Sequence, residues 1–128
     1  MTKSRVIALA QLNAHLGNVA GNIDRLVTAR VKAAKDGAAV IVTPEMYLSG
    51  YPCDDLVLRD DFMGEIAAGI AQLAEITSDA GPAIIVGAPH AENGHIFNSV
   101  FVLDAGQIIA RRDKVNLPNY GVFDDKRN

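Results

Sequence analysis

The stretch Gly37-Ala38-Ala39-Val40-Ile41-Val42-Thr43-Pro44 decides the fold. A glycine that stops a helix is followed at once by a short apolar run rich in β-branched residues, which reads as a buried strand. Just before it, the segment from Asn18 to Gly37 places Ile23, Leu26, Val27, Val31 and Ala34 at helical spacing, with Asn22 as N-cap and Gly37 as the stop. Further back, Val6 to Leu12 is a continuous apolar run, expected to be the first central strand, buried on both faces. Strand, helix and strand make a βαβ unit, whose two strands must run parallel.

C-terminal to the decisive stretch, Pro44 to Asp55 holds two prolines and a glycine and therefore makes a loop outside the carboxyl end of the second strand, where ligands of open α/β sheets gather. Asp61 is placed to cap a second helix from Phe62 to about Ala80, which Gly81-Pro82 ends. Ala83 to Ala88 reads as a third buried strand. Ile96 to Leu103 and Gln107 to Arg112 flank the turn Asp104-Ala105-Gly106 as an antiparallel hairpin, so the sheet is mixed and the class is α/β. Lys114 to Asn128 is expected to be a loop without a closing element, so that residues 1–128 read as part of a domain.

Composition narrows the function classes. The chain has 128 residues, 49% of them hydrophobic and 21% charged, which suits one globular domain. Its net charge of −3 without a basic cluster argues against nucleic acid or an anionic membrane surface as a partner. No run is long enough to span a bilayer. One cysteine excludes a disulfide framework and a thiolate zinc site and suits a reducing cytoplasm. His15, His90 and His95 lack ligand spacing, so no metal site is expected.

Few residues are mounted for chemistry. Glu45 follows a strand directly behind a proline, the rigid mounting a general base needs, although on position alone a solvated loop glutamate is the more common explanation. Lys114 follows a strand and could steady an oxyanion, or be one exposed cation beside Arg111 and Arg112. Cys53 lies beside Asp54 and Asp55, whose charges oppose a thiolate, so it reads as an incidental loop residue. The acidic pairs Asp54-Asp55, Asp60-Asp61 and Asp124-Asp125 read as turn or cap chemistry. Tyr120 and Phe123, on a glycine-containing loop, could wall a small-molecule pocket or anchor that loop.

Several segments together resemble a known family. They are Ala10-Gln11-Leu12-Asn13, Gly17 to Asn22, Pro44-Glu45, Ser49-Gly50-Tyr51-Pro52, Val86-Gly87-Ala88-Pro89, Phe97-Asn98-Ser99, and Lys114 through Leu117-Pro118-Asn119-Tyr120-Gly121-Val122-Phe123-Asp124. This set is similar to the amide-hydrolysing domain of glutamine-dependent NAD+ synthetases, a branch of the nitrilase or carbon-nitrogen hydrolase superfamily. The resemblance implies the α-β-β-α four-layer sandwich of that superfamily, of which this chain would supply the N-terminal part. It implies catalytic roles for Glu45 as base and Lys114 as oxyanion stabiliser, with Tyr120 and Phe123 lining a glutamine pocket. The family's nucleophilic cysteine falls beyond Asn128, and Cys53 is not its counterpart. Thr43 and Met46 stand where relatives favour Phe and Leu, and Asp125 where they favour Glu.

The implied chemistry is hydrolysis of glutamine through a thioester. The ammonia would pass to a separate domain that uses ATP and Mg2+ to convert deamido-NAD+ to NAD+. No cofactor is expected in this chain itself, and the complete enzyme is expected to be a homo-oligomer. Two other readings stay open: a stand-alone nitrilase-superfamily amidase, and a truncated, non-catalytic interaction domain.

Overall fold

The computed structural model describes residues 6–51, 53 and 55–116. Five strands form one mixed sheet in the order β1 (Val6–Leu9), β2 (Ala38–Val42), β3 (Ala83–Glu92), β4 (His95–Asp104) and β5 (Gln107–Asn116). The first three strands run parallel, as the βαβ reading requires, and β4 and β5 add antiparallel. Two helices, α1 (Val19–Lys35) and α2 (Asp60–Ile76), cover one face. Leu26, Ile66, Ile70 and Leu73 of the helices meet Ile41, Ile84, Val86, Phe101 and Leu103 of the strands in a common core.

The other sheet face carries Ile7, Leu9, Val40, Val42, Ile85, Val100 and Val102, none of them fully buried. The strand expected to be central and buried on both faces is instead the edge strand, with Ile7 60% and Leu9 68% exposed. Its apolar run reflects a sheet built for cover on both sides, which the described residues supply on one only.

Local chemistry moves several boundaries. The N-cap of α1 is Asn18, whose side chain accepts from the Gly21 N–H at 2.9 Å, not Asn22. Helix α2 begins at Asp60, and Asp61 spends its carboxylate on Arg59 and the Phe62 N–H rather than acting as the cap residue. Strands β3, β4 and β5 run longer than expected, whereas β1 stops at Leu9, short of Leu12, and β2 at Val42. A two-residue turn at Asn93-Gly94, both with positive φ, joins β3 directly to β4, and Ala105-Gly106 does the same between β4 and β5. The last strand accordingly continues to Asn116, and Lys114 lies within it instead of opening a loop.

Candidate active site

Glu45 owes its place to a loop with a buried anchor. Residues Met46, Tyr47, Leu48 and Ser49, immediately after it, are all buried, which is unusual for a connection that starts at a strand end. Met46 adopts φ +53°, a left-handed conformation that a side chain other than glycine rarely takes, so packing on Cys53 and Val57 must hold it there. Cys53, expected to be incidental, is therefore a buried packing residue of this anchor.

Three sets of hydrogen bonds tie the loop to the rest of the domain. The first is made by Asn22, fully buried on α1. Its amide donates to the carbonyls of His15 at 2.9 Å and Leu48 at 3.1 Å, and its oxygen accepts from the His15 N–H at 2.7 Å. The second runs from the Tyr47 hydroxyl to the Asn22 carbonyl at 2.7 Å, and burial pushes that phenol's pKa up. The third is to β3: the Gly87 N–H donates to the Thr43 hydroxyl at 3.0 Å, and the Leu48 N–H donates to the Gly87 carbonyl at 3.0 Å. The Thr43 hydroxyl thus pairs a strand N–H beside the catalytic candidate.

Gly87 is required by close approach. A Cβ there would lie 2.7 Å from the Met46 nitrogen, 2.8 Å from the Pro44 oxygen and 3.1 Å from the Glu45 Cα. The loop that carries Glu45 lies directly on the bare backbone of β3.

Lys114 reaches the same point from β5. Its Nζ stands 3.0 Å from Glu45 Oε2, joining positions 69 residues apart in sequence. Ser99 pairs with Asp113 and Asn98 with Val115, so Lys114 is the extra residue of a β-bulge. Bulges re-aim side chains at functional positions. The Lys114 ammonium, then the Asn98 side-chain amide, hold the Glu45 carboxyl below its ordinary pKa of 4.5, against a smaller opposing effect of burial.

This pair is not a stability device. The side chains are 45% and 53% exposed, and ion pairs so exposed contribute only ~0–1 kcal/mol. Its chemical content is a carboxylate that is ionised at neutral pH and an ammonium aimed at the same small volume. The other two residues assigned to the site, Tyr120 and Phe123, lie outside the described residues. No three His, Cys, Asp or Glu side chains converge on a cation site among the described residues.

The sequence matches the model of the carbon-nitrogen hydrolase family over residues 6–127. It is 39% identical over 126 residues to the glutamine-dependent NAD(+) synthetase of Acinetobacter baylyi, covering 98% of this chain and 23% of that protein. With the glutamine-dependent NAD(+) synthetase of Rhodobacter capsulatus it shares 39% identity over 127 residues, 99% of this chain and 23% of the relative. The solved structure of a glutamine-dependent NAD+ synthetase from Acinetobacter baumannii superposes with a TM-score of 0.78 at 36% identity, over 91% of this chain and 22% of that one. An amidase from Nesterenkonia sp. gives a TM-score of 0.78 at 26% identity, over 95% of this chain and 46% of the amidase. The chain spans less than a quarter of the length of the curated relatives it matches.

Proposed function

Because this chain belongs to the carbon-nitrogen hydrolase family, we propose that it forms the first part of a glutaminase domain whose ammonia serves ATP-dependent synthesis of NAD+ from deamido-NAD+. Its sheet and two helices are one α and one β layer of the family's α-β-β-α sandwich. The observation that carries the functional reading is the meeting of Glu45 and Lys114 at 3.0 Å across 69 residues of sequence. An exposed pair of this kind adds little stability, so its geometry asks for another explanation, and amide hydrolysis supplies one.

In that reaction Glu45 takes the proton of an attacking thiol as the carbon–sulfur bond forms, and Lys114 neutralises the oxyanion that develops on the amide oxygen. Glu45 then returns the proton to the leaving nitrogen, the carbon–nitrogen bond breaks, and ammonia departs. In the second half Glu45 takes a proton from water as the water attacks the thioester carbon, then returns it to sulfur as the carbon–sulfur bond breaks, which releases glutamate and restores the thiol. The lowered pKa keeps Glu45 ionised at neutral pH, as its first step requires, and enclosure of the site would restore basicity by desolvation. Tyr120 and Phe123 are assigned to the wall of the glutamine pocket, where desolvation also strengthens the contact of Lys114 with the oxyanion.

The buried Cys53 is not the nucleophile, which we assign to residues outside these 128. ATP and Mg2+ are assigned to a separate synthetase domain, and the whole protein to a homo-oligomer in the cytoplasm. Ammonia release from glutamine and from a simple aliphatic amide by the whole protein tests the substrate. Preference for glutamine is expected, and preference for the aliphatic amide would instead make the protein a stand-alone amidase. The 128-residue chain alone should release no ammonia above a Cys53→Ala control.

A further inference from the structure

Two polar residues, Asn98 and Ser99, interrupt the apolar alternation of β4. Successive strand residues point to opposite faces. Ser99 shares the helix-covered face with Phe101 and Leu103, and Asn98 lies on the other face with Val100 and Val102. Both are buried, Asn98 with 7% exposure and Ser99 with none, so each displaces an apolar side chain that would have packed there.

Their partners explain the displacement. The Ser99 hydroxyl donates to Asp113 Oδ1 at 2.6 Å, and Arg111 grips both oxygens of the same carboxylate at 3.1 and 3.2 Å. Asp113 is the residue directly before Lys114, on the near side of the bulge. Asn98 pairs with the residue directly after Lys114, and its side-chain amide is one of the groups that lower the Glu45 pKa. Its Oδ1 is buried and finds no hydrogen-bond partner among the described residues. A buried amide whose oxygen has no partner among the described residues is a poor choice for stability, so its place beside the bulge asks for another explanation.

We infer that the Asn98-Ser99 step is the positioning element of the Glu45–Lys114 pair: Asn98 orients the Glu45 carboxylate, and Ser99, through Asp113, fixes the bulge that aims Lys114. The inference rests on the proposal that Glu45 and Lys114 act together in amide hydrolysis. Asn98 and Ser99 are positioning residues, since neither has to touch the substrate. Without the Asn98 amide, Glu45 loses one of the two groups that lower its pKa, and the expected direction of its shift is upward.

The test is the pH dependence of glutamine-supported turnover by the whole protein, with ammonia-supported turnover as the control for folding. In Asn98→Leu and in Asn98→Asp, where a second carboxylate opposes the first, the acidic limb of kcat/KM should move to higher pH, further in Asn98→Asp. Ser99→Ala should lower glutamine-supported kcat by roughly tenfold or more with KM little changed. Ser99→Thr, which keeps the hydroxyl, should restore it. An acidic limb unmoved in both Asn98 variants, or a Ser99→Thr protein as impaired as Ser99→Ala, would overturn the positioning role. Full glutamine-supported turnover in Glu45→Gln and Lys114→Met would instead overturn the functional reading, and with it the pair to be positioned.

Discussion

Replacing Gly87 with alanine tests how Glu45 is held. The added Cβ would lie 2.7 Å from the Met46 nitrogen, about 0.7 Å inside the 3.4 Å at which ordinary contact begins, with the Pro44 oxygen and the Glu45 Cα also too near. All of these are backbone or Cα atoms, so no side chain can swing aside. β3 cannot easily retreat either, because it is hydrogen-bonded to β2 on one side and β4 on the other. The loop must lift, breaking the bonds between Thr43, Leu48 and Gly87 and carrying Glu45 away from Lys114. Overpacking of this kind costs about 1–3 kcal/mol, and a misplacement near 1 Å can lower turnover by up to about a hundredfold. Urea denaturation and glutamine-supported turnover of the whole protein measure the two effects, with ammonia-supported turnover as the reference. The expected result is a lower denaturation midpoint and a fall of one to two orders of magnitude with glutamine alone. Wild-type stability and wild-type glutamine turnover in Gly87→Ala would refute the seating of the loop on bare backbone.

Three further outcomes follow from the described contacts. Asn22→Ala strands the His15 N–H and the Leu48 carbonyl and leaves the His15 carbonyl only its bond from the Asn18 N–H, and should cost about 2–4 kcal/mol in denaturant titrations; a loss below 1 kcal/mol would show the staple to be dispensable. Arg30, followed by the Gly81 N–H, holds the Asp79 carboxyl at about 2, below its ordinary 3.8, so its contribution should be complete above pH 3.8 and fade as pH falls toward 2. The stability difference between wild type and Asp79→Asn should follow that window, and a difference still undiminished at pH 2 would contradict the assignment. The uncovered sheet face with Ile7 and Leu9 should drive self-association of the 128-residue chain, relieved by Leu9→Lys. Sedimentation at several concentrations reads this, and a concentration-independent wild-type monomer would show that the face needs no cover.

Much of this architecture is written in local sequence. The apolar runs around Ile41 and Ile84 are legible as strands because β-branched residues end abruptly at Pro44 and begin abruptly after Pro82. The helices follow from their apolar spacing. What local reasoning overlooks is hydrogen bonding across the fold. Asn22 looks like a cap because it precedes an apolar helical pattern, and only the return of the chain at Leu48 makes it a buried staple. Asn93-Gly94 was a readable hairpin signal that the shorter strand boundaries passed over. Gly87 inside a strand hinted at close approach, but the approaching backbone could not be identified before the fold was known. The site divides in the same way. Pro44 marks Glu45 as rigidly mounted, whereas the aim of Lys114 depends on a bulge that exists only through pairing with β4.

The central claim is that Glu45 and Lys114 act together on a glutamine amide, and turnover with two nitrogen donors tests it most directly. In the whole protein, Glu45→Gln and Lys114→Met keep side-chain size while removing a base and an oxyanion partner respectively. Each should abolish NAD+ formation from glutamine and leave formation from free ammonia near the wild-type rate. Equal loss with both donors would contradict the account and mark the pair as part of the fold, and undiminished turnover with glutamine would remove both residues from the reaction.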